Sequence, residues 1–580
     1  MPNQETENRG ILSSYQKKYL AVIISIVILA MASISYIRYL NFYTSNWDLG
    51  IEMQMLADNF RGHILYEAGD FETYGIVSHL EIHSTYIALL FSYAYQALSE
   101  PIFLFVCQAL FYSISLIPLN AISRYYGLTD RQSLIISIVY VTNVGFIASQ
   151  MYDFHWMSLI PVELLTFFYF IAKRRYAFAA ITMLAGALTL EVFPILGLGI
   201  LLFVYYEHII SDRNLKMHIM TGESLSLISL SIFAIAIFLI IKEINYDILP
   251  QLLHNSLAIS ILKRNYPESF YPASFSIYSS GYSLLYWGLL YSSLGFIPFF
   301  YRRHLLIVLP WLYESILVAP QYAFIQDQYN FIALPPLFLG LILSIRSGNM
   351  DPRKFAYMLK TAFYALLTCV SAVIVYDATA VYPLYDRIML SVAAGLIVLM
   401  VGLLMRYSSL AIKIFKQARK SAYSALTIIL ILILVFNFLV GPLNISNQEK
   451  TVDSGYAFSY STNAEYNDMI KMISIIPGNA SIISSDNLFP YIAKDPNAFS
   501  FYWSEPKNLT FFIYDNLSAN FSFTYVLIDQ SQISYIPQEV LNHIETGYGL
   551  LSAIYTQKLY PGNIYLYKLG YIGKTTIMYQ

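Results

Sequence analysis

Residues 47–83, from WDLGIEMQ to VSHLEIH, hold the side chains best suited to chemistry: Asp48, Glu52, His79, Glu81 and His83 share one polar, acidic segment wedged between apolar runs. Ionisable groups at a membrane edge are functional candidates because burying them without partners is expensive. In HLEIH, an extended chain puts His79, Glu81 and His83 on one face, whereas a helix aligns His79 with His83 and turns Glu81 away. Imidazole with carboxylate suits Zn²⁺ or Mn²⁺, and a site built from Asp48 and phosphate oxygens suits Mg²⁺ or Mn²⁺. The bland alternative is a hydrated loop with interfacial histidines.

Other candidates fall at the same level. YDFHW at 152–156 brings Asp153 and His155 to the outer end of a span; alternatively Asp153 caps the next helix and Trp156 serves in an aromatic belt. Glu191, between two short apolar runs, needs a cation, a donor or a cavity. Arg61, Lys263 and Arg264 are scarce positive charges on that side, suited to phosphate or pyrophosphate and otherwise simply solvated. There is no P-loop, dinucleotide fingerprint or GxSxG elbow. A net charge of -2 without any nucleic-acid-binding signature excludes nucleic acid as a partner class. Cys107 and Cys369 lie inside apolar runs and read as small core residues.

The elements that must position these residues are membrane spans, since 57% of the 580 residues are hydrophobic and 12% charged. A cytoplasmic amino terminus (1–18) precedes a first span from Tyr19, and further spans are expected near 101–122, 133–150, 157–172, 177–190, 193–206, 222–242, 284–301, 305–320, 331–346, 355–378, 387–405 and 422–441. That makes about thirteen. With 84–98 interfacial or re-entrant and 177–206 broken at Glu191–Pro194, the basic groups around Arg124, Arg174, Arg213, Arg302, Arg346 and Lys416 all become cytoplasmic. The 39–83 loop, YDFHW, Glu191 and the 243–283 loop then lie outside. So does a tail, 442–580, whose strand-like ASIISS and YVLID and helix-compatible NDMIKMIS form a small α/β domain. Five Asn-x-Ser/Thr sequons, at Asn444, Asn479, Asn508, Asn516 and Asn520, fall in that tail.

WDLGIEMQ, HSTYIALLFSYAY, YDFHW, LTLEVFP and IPGNASIISSDNLFPYIA, in this order, resemble the prokaryotic integral-membrane family called domain of unknown function 2079, over most of the chain. That family resembles in turn the GT-C superfamily of polytopic glycosyltransferases, which includes protein O-mannosyltransferases and aminoarabinose transferases and uses polyprenyl-phosphate sugars. The resemblance implies Asp48 as the catalytic base, with Glu52 one turn on, His83 as the histidine closing the first loop, and Asp153 and His155 as an Asp-Phe-His motif. Glu191 alone matches a Lys-Glu-Asp motif, being flanked here by Leu190 and Val192, and Tyr491 stands where relatives often carry histidine.

The expectation is a polytopic α-helical, GT-C-like membrane protein with a small extracytoplasmic α/β carboxy-terminal domain. Its lipid-linked donor enters from the bilayer, and a glycan, lipid or protein acceptor attacks on the outer face. Asp48, Glu52 and Asp153 are the catalytic candidates; Glu191, His155, Arg61, Lys263 and Arg264 the substrate-binding ones; His79, Glu81 and His83 the metal ligands. The alternative is a transporter or lipid-handling protein with the broken span at Glu191 lining its path. Composition, rich in Ile, Tyr and Ser, points to an archaeal plasma membrane.

Overall fold

Apolar runs interrupted by Pro, Gly and charge decide where the helices stop. The computed structural model describes residues 12–74, 76–98, 100–207, 222–253, 277–318, 322–323, 328–346, 465–501, 523–556 and 561–579. The spans expected near 355–378, 387–405 and 422–441, the candidates Lys263 and Arg264, the basic residues around Lys416 and the sequons at Asn444, Asn508, Asn516 and Asn520 lie outside the described residues.

Helix α1 (Ser14–Leu40) starts from a capping box made by Ser13 and Gln16. It turns Val22, Ile26 and Leu29 outward, an apolar stripe facing lipid. The first loop contains α2 (Ile51–Asp58) and α3 (Ala68–Tyr74), and α4 (Ile87–Leu98) follows it. Then come α5 (Pro101–Tyr125), α6 (Asp130–Val141), α7 (Val144–Met151), α8 (Ile160–Ala172), α9 (Tyr176–Thr189) and α10 (Phe193–Tyr205). The rest of the described bundle is α11 (Gly222–Glu243), α12 (Ile277–Ser293), α13 (Leu305–Tyr313) and α14 (Asn330–Arg346).

Among the described residues, three helices are long and apolar enough to cross a membrane alone: α1, α5, and α11 with its continuation to Leu252. The run 133–150 is α6 and α7 meeting at 48°, where the Asn143 side chain caps α7. The expected single span 284–301 is corrected. Helix α12 stops at Ser293 because Gly295 and Phe296 turn left-handed, and a 3₁₀ segment, Ile297–His304, carries the chain on.

The break at Glu191 is real. Leu190 is extended, and Pro194 sits in the first turn of α10, where its missing N–H costs nothing. Gly186 makes the corner possible, since a Cβ there would meet the Phe193 ring at 2.4 Å. Gly199 likewise lets α10 reach α13, with the Leu306 carbonyl oxygen 2.9 Å from where its Cβ would be.

Basic and aromatic residues mark one end of the bundle. Arg346 lies over the Tyr126 ring, the Tyr125 hydroxyl donates to the Ala172 carbonyl, and Arg303 pairs with Glu207. The tail domain packs on the other end. Its six strands are β1 (Ile482–Ser484), β2 (Ala498–Ser500), β3 (Tyr525–Asp529), β4 (Tyr548–Tyr555), β5 (Ile564–Leu569) and β6 (Thr576–Tyr579), in the order β2-β1-β3-β5-β4-β6. Pairing is parallel for β1 with β2 and β3, and antiparallel for β3 with β5 and β4 with β5.

Alternation sorts the side chains of the central strands. Ile483, Val526 and Ile528 pack under Val540 and Ile544 of a helix at Gln538–Gly547, while Ile482 and Leu527 face the cluster containing Tyr39, Met53 and Leu56 of the membrane part. Polar contacts fasten the same seam. Gln54 donates to the Ala498 carbonyl at 3.1 Å, Tyr491 to the Tyr39 carbonyl, and Arg61 to the Lys494 carbonyl at 2.8 Å. The first loop and the tail therefore share one end of the molecule.

Candidate functional site at the tail-side rim

A five-residue turn, Asn46–Gly50, leads into α2, so Asp48 and Glu52 follow one another by a helical turn. Both are buried, at 9% and 3% exposure. Glu52 Oε2 accepts from the Trp156 indole at 2.6 Å. Burial, with the nearby Asp48 and Asp70 charges, raises the Glu52 carboxyl well above its usual range despite that bond. Trp156 is fully buried, which corrects the belt reading of that residue.

Glu191 closes the site from the α9–α10 break. Its Oε1 lies 3.1 Å from His83 Nδ1, and its Oε2 accepts from the Ser84 N–H at 3.1 Å. Burial pushes this carboxyl up, but the His83 charge and these donors outweigh it and hold Glu191 at about 2. For His83, burial acts downward and Glu191 more than reverses it, so the imidazole stays protonated above its ordinary value. Asn245 donates to Ser84 Oγ at 3.1 Å and accepts from the Tyr86 hydroxyl at 2.6 Å, locking the chain beyond α11 onto the same corner.

The expected convergence of Asp153 and His155 with Glu191 is met only in part. His155 lies within electrostatic reach of Glu191, His79 and His83, and burial first, then those two histidines, lower it to about 3. Its Nδ1 accepts from the Met157 N–H at 3.2 Å, capping the next turn, so the neutral ring carries its proton on Nε2. Asp153 turns elsewhere. It accepts from the Ser45 N–H at 2.8 Å and lies 3.7 Å from the Arg38 guanidinium, itself 3% exposed. In this position Asp153 ties YDFHW to the end of α1.

The metal set His79, Glu81 and His83 does not assemble. HLE forms a 3₁₀ turn in which Glu81 Oε1 accepts from the Val77 and Ser78 N–H groups at 2.9 and 3.0 Å, while His83 turns to Glu191. His79 instead meets Glu67 and Asp70, with donor atoms of the three within 4.8 Å of one another. Its Nδ1 is 2.7 Å from Asp70 Oδ2. Ligands around a tetrahedral ion with arms of ~2.0–2.1 Å lie ~3.3 Å apart, so this spacing is that of a shared proton. The donor chemistry still fits Zn²⁺ or Mn²⁺ after a small opening. Burial raises Glu67 well above its usual range; Asp70 is pushed up by burial yet ends below its own because of His79.

Arg61 pairs with Asp58 and holds the tail carbonyl, so its phosphate role is not supported by its neighbours. Four contributors were missed in the sequence: Glu67, Asp70, Arg38 and Lys242. A single lysine closing the long apolar run of α11 was the available signal for Lys242. Its ammonium lies over the Phe238 and Tyr246 rings at 5.2 and 5.5 Å and acts electrostatically with Glu191 and Glu314.

Below Lys242 runs a groove of about 740 Å³ between α10, α11 and α13, walled by residues such as Leu198, Leu202, Leu227 and Leu309, with Glu314 and Phe238 on its border. Its tail-side end, at Ile195 and Phe238, is one turn from Glu191 and Lys242. Along α10 it runs from Ile195 to Tyr205, a length of roughly 15 Å.

Helices of this order, with the polar rim under a packed tail domain, define a multi-pass membrane protein of GT-C-like architecture. The chain belongs to the family described as "Predicted membrane protein (DUF2079)", which matches residues 38–384. No curated protein matches the sequence. The crystal structure of ArnT from Cupriavidus metallidurans bound to undecaprenyl phosphate covers 94% of this chain and 98% of its own, with TM-score 0.52 and 12% identity. The apo state of the same protein gives the same coverage and identity with TM-score 0.48. At that identity the likeness is one of fold.

Two outcomes follow from the partners of the buried acids. Asp153→Ala leaves Arg38 buried without its counter-charge and should cost about 3–5 kcal/mol, with Arg38→Met in the same chain recovering most of it. Chemical unfolding in detergent micelles measures this, and a loss below about 0.5 kcal/mol would contradict the anchoring role. The Glu191–His83 pair sets a pH window. The depressed Glu191 stabilises the fold above its ordinary 4.5, and that contribution disappears as pH falls towards about 2. The raised His83 stabilises it below the ordinary 6.5, and its share disappears as pH rises through the raised value. Thermal midpoints against pH should show this plateau in the parent and a flatter profile in Glu191→Gln; superimposable profiles would refute the pairing.

Proposed function

We propose that the chain is a membrane glycosyltransferase that moves a sugar from a polyprenyl-phosphate donor to an acceptor on the extracytoplasmic face. The observation that carries this reading is the apolar groove whose tail-side end, at Ile195 and Phe238, lies one turn from Glu191, the partner of His83, and from Lys242, because a long isoprenoid needs hydrocarbon walls and its phosphate needs cations where those walls stop. The ionisable cluster sits at the ends of α9 and α10 and not at mid-span, which favours transfer at the rim over passage through the bundle.

In this mechanism Glu52, its carboxyl raised well above the usual range by burial, is not the base. Asp48 is. Its carboxylate takes the proton of the acceptor hydroxyl or amide, and the freed electron pair attacks the anomeric carbon. The bond from that carbon to the phosphate oxygen breaks, and its electrons leave with the polyprenyl phosphate. Lys242 and His83 face the charge that develops on the departing phosphate, a stabilisation available only where water is excluded. Glu191 keeps His83 charged and oriented, and the neutral His155 offers an Nε2 donor nearby. If a divalent ion is part of the enzyme, Glu67, Asp70 and His79 would hold it, and it would supply a fixed positive charge at the rim.

Proteoliposomes given radiolabelled polyprenyl-phosphate sugars test the reading. Asp48→Asn keeps shape and cap but removes the base, so transfer should fall by about 10²-fold or more at equal expression. Transfer within a few-fold of the parent would remove Asp48 from this role. Metal analysis of the same preparations should find any bound Zn²⁺ or Mn²⁺ lost in His79→Gln and kept in Glu81→Gln; the reverse would refute the revised ligand set.

A further inference from the structure

A second cleft, of about 620 Å³, lies in the seam between the end of α1, α2 and the tail domain, and none of the chemistry above uses it. Its aromatic wall is three tyrosines. Tyr491 stacks on Tyr39 with centroids 4.6 Å apart, and Tyr466 stands edge-on to Tyr39 at 6.0 Å. Tyr39 is buried, while Tyr466 and Tyr491 keep part of their surfaces exposed. The Tyr491 hydroxyl is spent on the Tyr39 carbonyl, so what the ring offers an occupant is its face.

The polar wall holds Lys471, Lys494 and Glu100, and Asp468 just outside it brings the charges into balance. Lys494 lies 3.5 Å from Glu100, and Lys471 lies 2.7 Å from Asp468. Such exposed pairs are worth little and exchange partners readily. The balance selects against a strongly anionic or cationic ligand, while the lysines, Glu100 and the exposed Asn467 remain able to bond hydroxyls. A seam serving only as adhesive would be filled. This one leaves a volume in the range of small-molecule sites.

We propose that this cleft binds an uncharged saccharide, whose apolar C–H faces lie on Tyr466 and Tyr491 and whose hydroxyls meet Asn467, Glu100 and the lysines. Its position explains why a tail domain is docked here. Met53 lines the cleft while its neighbour Glu52 faces the rim site, so a glycan held in the seam reaches across α2 towards Asp48. Calling that glycan the acceptor rests on the transferase reading; the binding itself does not.

The test is equilibrium binding to the full chain in nanodiscs, with maltotriose, mannotriose and chitotriose as separate probes, followed by saturation-transfer NMR and calorimetry. At least one probe should bind saturably, with Tyr466→Ala weakening it about 10-fold and Tyr466→Phe binding like the parent, since stacking needs only the ring. Asn467→Ala, at an exposed position that leaves packing intact, should weaken it by roughly 3–10-fold through one lost hydrogen bond. No saturable binding of any probe up to about 10 mM, or equal binding by Tyr466→Ala and Asn467→Ala, would overturn the proposal. Saccharide binding in a chain that never transfers sugar would sink the transferase reading and leave the cleft standing; transfer without saccharide binding would do the opposite.

Discussion

Taking a carboxylate out of water beside a bilayer costs several kcal/mol unless donors or a counter-charge replace the lost solvation. The first loop buries Glu52, Asp58, Glu67, Asp70 and Glu81, and each reaches a partner. Glu52 takes the Trp156 indole, Asp58 takes Arg61, Asp70 takes His79, and Glu67 and Glu81 take backbone N–H groups of their own turns. This requirement folds the loop. Four of these partners are local, but the indole comes from YDFHW, Glu191 of the α9–α10 break finds its partner in His83, and Asp153 finds its own in Arg38 near the end of α1, so satisfying the acids also gathers distant segments into one rim.

The same network explains why the acids differ in chemical state. Burial and like charges raise the Glu52 carboxyl well above its usual range, whereas His83 and a backbone donor hold Glu191 at about 2. Two carboxylates at one rim are thereby pushed apart, the separation that lets a site hold acid and base forms together. The tail domain completes the enclosure through Gln54, Arg61 and Tyr491, so the seam and the rim are built as one unit.

Much of this was legible because hydropathy and proline act locally. The end of α9, the start of α10 at Pro194, the strand Tyr525–Asp529 and the helix at Glu465–Ile473 all follow from short-range pattern. Side-chain partners were not legible, because they depend on which segments meet. HLEIH has metal-like spacing under either regular geometry, yet a capping box at Ser78 and Glu81 turned the segment 3₁₀ and spent the glutamate. Asp153 looked like a member of a reactive motif, and only the arrival of Arg38 from α1, 115 residues earlier in the chain by the numbering of the two residues, reveals an anchor. Lys242 was visible as an isolated charge, but its place above a groove required α10, α11 and α13 to be packed together.

The account stands on a lipid phosphate lying along that groove with its head at the rim. A diazirine-bearing polyprenyl phosphate, photolysed with the protein in nanodiscs and mapped by mass spectrometry, addresses it directly. The account predicts adducts on the facing surfaces of α10, α11 and α13, around Leu198, Leu227 and Leu309, suppressed by unlabelled polyprenyl phosphate and reduced when Lys242 is replaced by Met. Adducts spread over the outward stripe of α1 around Ile26 and Leu29, indifferent to competitor and to Lys242, would contradict it.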